Sequence, residues 1–177
     1  MNNIFIVLCF LLVSLSASAA KTEKGSLKVK AVVRNNTCSV ASVSQNIRID
    51  MGIEATKLFY QTGVEARDNP FNIVLENCGP AAKGVKASLS GVAHPSDSSV
   101  FILNNAQAPN TAKNVGIAVY DRYGKRIEPG KDSGTYVLNG AGSNGTGLRF
   151  VARYISTAMP VTAGKADGSL IFTLTYD

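Results

Sequence analysis

The sequence predicts an all-β protein whose strands pack as an antiparallel sandwich. Short apolar runs alternate with polar residues at a period of two, as in strands that bury one face. Segments rich in Gly, Pro, Asn, Asp and Ser separate these runs at a spacing of about ten residues. No stretch has a sustained apolar stripe at the helical period, although residues 53–60 could form one or two helical turns. About eight or nine short strands, with one disulfide, favour a sandwich of immunoglobulin-like type.

The candidate strands can be read off in chain order. The first covers residues 25–33 and places Leu27, Val29, Ala31 and Val33 on one face, with Ser26, Lys28 and Lys30 on the other. The others are residues 46–51, 71–78, 84–90, 100–103, 115–120, 135–138, 148–155 and 168–176, and none contains an internal proline. The last one places Leu170, Phe172, Leu174 and Tyr176 on one face. The two terminal strands could pair with each other, or could be edges open to strand addition by another molecule.

The composition is that of a single folded domain. It is 45% hydrophobic and 17% charged, which provides material for a core and too little charge for a disordered chain. The sequence has no internal repeat and no linker that divides it. Three cysteines, one histidine and no tryptophan leave little material for a metal cluster.

The N-terminus predicts export. Residues 4–15 form an apolar run that is too short to cross a bilayer of about 30 Å, and small residues follow it up to Ala20. This pattern is typical of a signal peptide, residues 1–20, that is cleaved after Ala19 or Ala20. The start departs from the pattern because no Lys or Arg precedes the apolar run.

The cysteines predict one disulfide. Removal of the signal peptide takes Cys9 with it and leaves Cys38 and Cys78 in a compartment that permits oxidation. The loop of about 41 residues that this bridge closes corresponds to about 4 kcal/mol of stabilisation in the chain-entropy model. No Cys-x-x-Cys occurs and the histidine is remote in sequence, so a structural bridge is favoured over a redox site.

The sequence context does not support the candidate catalytic and ligand-binding motifs. Residues 140–145 match G-x-G-x-x-G, but the residues after them alternate like a strand, whereas a dinucleotide site needs a helix there. His94 has no second histidine for a metal and is predicted to be an exposed loop residue. The carboxylates show no motif spacing, although any two could meet in space. We therefore predict no catalytic residue, no metal, no cofactor and no enzymatic activity.

The net charge of +6 invites a nucleic-acid interpretation. The basic residues crowd the N-terminus and are otherwise scattered, and aromatic residues do not alternate with them as in sites that stack bases. A solvated basic surface, without a nucleic-acid partner, is the favoured interpretation.

Several segments, in their order and spacing, resemble a known family. They are the signal peptide, the short alternating extension, residues 33–40 around Cys38, residues 47–52, Cys78 after residues 74–77, residues 150–154, and the closing residues 160–164 and 172–176 with tyrosine penultimate. The chain resembles the pilins of the chaperone-usher pathway, and is similar in particular to the minor, adaptor-type subunits of type 1 fimbriae.

This resemblance implies an incomplete immunoglobulin-like sandwich that lacks its seventh strand. Residues 35–177 would form the pilin domain, with a hydrophobic groove open along the final strand, and residues 21–34 would form a donor-strand extension. In the family, a periplasmic chaperone first fills the groove, and the extension of the next subunit replaces it at the outer-membrane usher, a process called donor-strand exchange. The chain would be a structural subunit of an adhesive fimbria on a Gram-negative bacterium, with neighbouring subunits on both sides.

The resemblance also assigns roles to residues. Leu27, Val29, Ala31 and Val33 would be the donor side chains, with Gly25 at the entering end. Leu170, Phe172, Leu174 and Tyr176 would face the groove or the chaperone, and basic chaperone residues would hold the terminal carboxylate of Asp177. The family usually has glycine where this chain has Ala31, which leaves the register of the donor strand open.

Two alternatives remain at this stage. The first is a complete secreted sandwich that binds a carbohydrate or protein ligand and closes its sheet with its own N-terminal strand. The second is a tip adhesin of the same pathway, which the length disfavours because such chains usually have two domains and about twice as many residues.

Overall fold

The computed structural model describes residues 30–177, of which Arg34–Asp177 form one compact body. The predicted signal peptide and the predicted donor positions Gly25, Leu27 and Val29 lie outside the described residues. Residues 30–33 form no strand, and the side chains of Ala31 and Val33 are exposed. No helix in residues 30–177 is long and apolar enough to cross a membrane.

The described residues form nine strands in two antiparallel sheets, which confirms the predicted fold class. The strands are β1 (Ser39–Val40), β2 (Asn69–Glu76), β3 (Gly84–Ser90), β4 (Ala93–His94), β5 (Asp97–Phe101), β6 (Val115–Asp121), β7 (Tyr136–Val137), β8 (Gly147–Ser156) and β9 (Ile171–Tyr176). One sheet has the order β1-β2-β8-β6-β5-β4, and the other has the order β7-β3-β9. Short 3₁₀ turns lie at Ser42–Ser44, Thr56–Leu58 and Gly140–Ser143.

The core lies between the sheets and follows from the alternation in the sequence. In β8, Leu148, Phe150 and Ala152 are buried, and the ladder with β2 pairs Phe150 with Phe71. The Phe150 ring contacts those of Phe71 and Tyr136, with centroids 5.4 Å apart in each pair. Strand β6 is buried along nearly its whole length because Ile117 and Val119 pack in the main core, whereas Ala118 packs in a second cluster with Val100 and Ile155.

The predicted disulfide between Cys38 and Cys78 is confirmed. It joins the residue before β1 to the second residue after β2, so it fixes the N-terminal end of the body to the six-stranded sheet. The turn after the second cysteine is close-packed as well. A side chain on Gly79 would lie 2.3 Å from the main-chain oxygen of Asn35.

Two local predictions were wrong. Residues 46–51 were predicted to be a strand and form none, although their alternation persists, with Ile47, Ile49 and Met51 packed against the core. Within residues 53–60, Thr56–Leu58 form one 3₁₀ turn, in agreement with the one or two helical turns expected there. His94 is in β4 and only 9% exposed, because it packs beside Gly116 and its Nε2 lies 3.2 Å from the Thr157 hydroxyl. The strand expected after the glycine motif is present as β8.

Candidate functional site

The two sheets leave one long edge unpaired among the described residues. Four strands are edges, and three of them, β1, β4 and β7, have only two residues each. The fourth, β9, has six residues and hydrogen-bonds only to β3, through a register from Val85 with Tyr176 to Ser90 with Ile171. Long edges with free backbone donors and acceptors invite pairing with another chain, and short edges do not. The edge of β9 is therefore the candidate site for a strand from another chain.

A groove of about 810 Å³ lies beside this edge. We call residues 45–52 its first wall and residues 166–172 its second wall. Its floor is apolar and consists of Phe71, Ile73, Leu89, Ile117, Val119, Ala152 and Tyr154. Most of the floor is buried core, so the groove opens directly onto the centre of the sandwich.

Both walls alternate at a period of two. In the first wall, Ile47, Ile49 and Met51 pack against the core, and Arg48 and Asp50 are exposed. In the second wall, Ala166, Leu170 and Phe172 pack inward, and Asp167, Ser169 and Ile171 are exposed. An extended segment between them would continue this pattern, with alternate side chains on the floor and in solvent.

The first wall is held at its end by an arginine. Arg67 Nη2 donates to the Met51 carbonyl at 3.1 Å. Its Nε lies 3.0 Å from Glu54 Oε1, in an ion pair without hydrogen-bond geometry. Gly52 has a φ of +67°, and a Cβ there would overlap the Arg67 guanidinium. Glycine thus permits both the turn and the arginine's position.

The second wall rests on a loop of residues 104–112. The Lys165 amide donates to the Asn110 carbonyl at 2.8 Å, and the Ala112 amide donates to the Lys165 carbonyl at 2.9 Å. The Asn104 amide donates to the Asp167 carbonyl at 2.7 Å. The loop is itself fixed, because Lys113 Nζ donates to the carbonyls of Ala106 and Ala108, at 2.5 Å and 2.9 Å. A smaller polar cavity of about 480 Å³ lies between this loop and the second wall.

Carboxylates on both walls of the groove act on Tyr154, which is part of the floor. The Tyr154 hydroxyl donates to the Ala166 carbonyl at 2.9 Å. Burial raises the pKa of Tyr154, and the nearby carboxylates of Asp167, Asp50 and Glu54 raise it further. Asp50 and Asp167 lie on opposite walls of the groove, and Asp167 directly follows the residue whose carbonyl accepts from Tyr154.

The other end of β9 lies beside the start of the compact body. The Tyr176 hydroxyl donates to the Cys38 carbonyl at 3.0 Å, and Asn36 Nδ2 donates to the Asp177 carbonyl at 3.3 Å. Burial raises the pKa of Tyr176, and the hydrogen bond to Cys38 acts in the opposite sense. These contacts fix the residues from which the N-terminal extension departs.

The structure brings together only some of the residues assigned from the sequence. Leu170 and Phe172 line the groove. Leu174 and Tyr176 are half-buried against the core farther along β9, and Asp177 is exposed. The sequence did not identify the first wall as part of the site, although its alternation was the available signal.

A second cluster of charges lies away from the groove, around Tyr120. Glu65 pairs with Arg126 at 2.8 Å and with Arg153 at 2.6 Å, and it accepts a hydrogen bond from the Tyr120 hydroxyl. Burial raises the pKa of Glu65, but the hydrogen bonds from Tyr120, Arg153 and Arg126 outweigh it, so the net direction is downward. These groups satisfy one another and attach residues 65–68 to the six-stranded sheet, which indicates a structural role.

The comparisons with known proteins agree with this geometry. A model of the fimbrial protein family matches residues 26–177. The chain is 30% identical to long polar fimbria protein A of Salmonella typhimurium strain LT2, over 98% of this chain and 96% of that protein. It is also 30% identical, with the same coverage, to the probable major fimbrial subunit LpfA of Escherichia coli O157:H7. A chain of a chaperone-usher pilus has the same fold, with a TM-score of 0.63 and 22% identity over 91% of this chain and 100% of that one.

Proposed function

We propose that this chain, which belongs to the fimbrial protein family, is a subunit of a chaperone-usher pilus at the cell surface and joins its neighbours by donor-strand exchange. Its groove accepts an extended segment from one neighbouring subunit, and its own residues 21–34 fill the groove of the subunit on the other side. Its role is structural, as in the fimbrial relatives.

The observation that carries this proposal is the six-residue open edge of β9 beside an apolar groove with alternating walls. The N-terminal extension has the complementary pattern, with Leu27, Val29, Ala31 and Val33 on one face. Gly25 stands at the entering end. In the proposed joint these side chains lie on the groove floor, and the donor backbone pairs with β9.

The energetics suit a permanent joint. Burial of Leu27, Val29 and Val33 contributes about 1.5–3 kcal/mol each. About six new ladder hydrogen bonds along the edge of β9 contribute roughly 0.5–1.5 kcal/mol apiece. The total is on the order of 10–20 kcal/mol before ordering costs, comparable with the stability of a whole domain.

Before assembly, the same groove needs a temporary occupant, because an exposed apolar strip promotes aggregation. We assign this role to a periplasmic chaperone, with transfer at an outer-membrane usher. The chaperone strand would contact Leu170, Phe172, Leu174 and Tyr176. Basic residues of the chaperone would bind the terminal carboxylate of Asp177, which is exposed.

The test compares three variants of the extension in cells that make the fimbria. Deletion of residues 21–33 and Val29→Asp should abolish incorporation, the latter because a carboxylate would enter the apolar floor. Ser26→Asp adds the same charge on the opposite face and should assemble normally. The readout is the amount of subunit in sheared fimbriae and in SDS-resistant complexes on unheated gels.

Normal incorporation of the deletion variant would contradict the proposal. So would a monomer that refolds reversibly without a chaperone and protects residues 25–33 from hydrogen exchange, since its own strand would then close the sheet. Quantification of the same fimbriae also distinguishes a minor adaptor, as the resemblance suggested, from a rod subunit. An adaptor is present in a few copies per fibre, whereas a rod subunit forms most of its protein.

A further inference from the structure

We propose that the polar cavity beside residues 104–112 binds a neutral saccharide through the hydroxyl groups of the sugar. The cavity shares only Asp167 with the groove, and its other lining residues lie outside the groove. The proposal adds a ligand site to the structural role of the chain, and it does not depend on what fills the groove.

The first argument is the size and the lining of the cavity. Its volume of about 480 Å³ falls within the range of about 300–1,000 Å³ that is usual for small-molecule sites. Four amide side chains line it, those of Asn104, Asn105, Gln107 and Asn110. Among the described residues, no aromatic ring and no branched apolar side chain lines it. This lining suits a ligand that is polar over most of its surface.

The second argument is the kind of hydrogen bond that the lining offers. An amide side chain has two donor hydrogens and an acceptor oxygen, and a sugar hydroxyl also donates and accepts. Asn104 already donates to the Ser169 hydroxyl, at 3.0 Å. The side chains of Gln107 and Asn110 are exposed and form no hydrogen bond within residues 30–177, so both remain available to a ligand.

The third argument is charge, which separates a neutral ligand from an anion or a cation. Lys165 and Asp167 are the two charged residues that line the cavity, and their charges are opposite. The nearby ammonium group of Lys113 donates to the carbonyls of Ala106 and Ala108, which compensates part of its charge. A phosphate or sulfate group is usually bound by several cationic donors, and a saccharide needs none.

The fourth argument is that the loop is fixed before a ligand arrives. The Thr111 hydroxyl donates to the Asn105 carbonyl at 2.9 Å, and Thr111 is only 4% exposed. The Ala108 amide donates to the same carbonyl at 2.8 Å. Asn105 has a φ of +51°, which asparagine adopts more readily than most residues. A preformed site loses little conformational entropy when it binds.

The experiment measures binding by the mature chain, labelled with ¹⁵N and purified from the periplasm with any protein that occupies its groove. D-galactose, D-mannose and N-acetyl-D-glucosamine are titrated separately, and inorganic phosphate serves as the anionic probe. We expect at least one sugar to shift the amide resonances of residues 104–112 and 165–167. The dissociation constant should be about millimolar, because the ligand is small and the cavity has no ring on which it could stack.

The test variant is Gln107→Leu with Asn110→Leu, which removes two hydrogen-bonding groups and keeps side chains of similar size. The dissociation constant of the sugar should rise at least tenfold, because its hydroxyls lose their partners. Asn72→Leu is the matched control, since this exposed amide in β2 lines neither the cavity nor the groove. It should bind the sugar within about twofold of the natural chain. Equal urea midpoints establish that the variants are folded.

Three results would overturn the proposal. The first is that none of the three sugars shifts the resonances of residues 104–112 and 165–167. The second is that the double variant binds as tightly as the natural chain, because the sugar would then be bound elsewhere. The third is that phosphate shifts these resonances and the sugars do not, because the cavity would then be an anion site. Incorporation of the chain into fimbriae tests the proposed function separately, and neither result decides the other.

Discussion

The second wall of the groove depends on a glycine whose replacement should be costly. Gly164 precedes the wall and passes close to the backbone of the loop that supports it. A Cβ at this position would lie 2.3 Å from the Ala112 nitrogen and 2.5 Å from the Thr111 carbonyl carbon. Because these are backbone atoms, no side-chain rotation can relieve the overlap in Gly164→Ala. The wall must move away from the loop.

The magnitude follows from the contacts at the same place. The two main-chain hydrogen bonds between Lys165 and the loop would lengthen or break, at about 0.5–1.5 kcal/mol each. Strain from overpacking adds about 1–3 kcal/mol. We therefore expect Gly164→Ala to lower the free energy of unfolding by about 2–6 kcal/mol, and to slow strand exchange because the groove changes shape.

The assay is urea unfolding of the disulfide-bonded mature subunit, followed by far-UV circular dichroism. Gly142→Ala is the matched control, since the nearest atom to its new Cβ is 4.0 Å away. The control should unfold within about 1 kcal/mol of the natural chain. Equal midpoints for the two variants would refute the argument that close backbone approach fixes the second wall.

Three further changes test other parts of the body. The buried carboxylate of Asp121 accepts hydrogen bonds from the amides of Tyr123, Lys125 and Gly134. In urea unfolding, Asp121→Ala should therefore lower the free energy of unfolding by about 3 kcal/mol or more, and Asp121→Asn by less. Equal losses for the two variants would contradict this role. Burial lowers the pKa of His94, although Asp97 opposes the shift, so stability present above pH 6.5 should be lost as pH falls below it. The free energy of unfolding should change by at most about 1.4 kcal/mol per pH unit. If a His94→Gln chain shows the same slope, His94 is not the source of this pH dependence. Cys38→Ser removes the disulfide and should lower the free energy of unfolding by about 4 kcal/mol, and reductant should have no further effect on the stability of that variant.

The period-two pattern predicted the strands that pair with neighbouring strands in the described residues. Strands β2, β3, β6 and β8 all fall close to their predicted ranges, because each buries at least one face in the core. The prediction failed at residues 46–51, where alternation reports the burial of one face and carries no information on a hydrogen-bonding partner. The first wall is therefore patterned like a strand without being one in this chain.

The histidine shows a different limit. Its neighbours Ala93, Pro95 and Ser96 are typical of an exposed turn, and the prediction followed them. Its burial depends on residues far away in sequence, since Gly116 leaves room for the ring and Thr157 provides a polar partner. The Ser96 amide donates to Nδ1 at 3.2 Å, so the neutral ring is satisfied at both nitrogens. Such long-range packing is invisible to a local pattern.

The lengths of the sheet edges connect stability to assembly. Strands β1, β4 and β7 end the sheets after two residues each, so they offer little backbone to a foreign strand. The edge of β9 is three times as long and lies over apolar core. A strand that binds there stabilises the folded body by mass action, since the unfolded chain has no groove to fill. Folding and polymerisation thus depend on the same contacts, and a partner is selected by how well its strand completes the core.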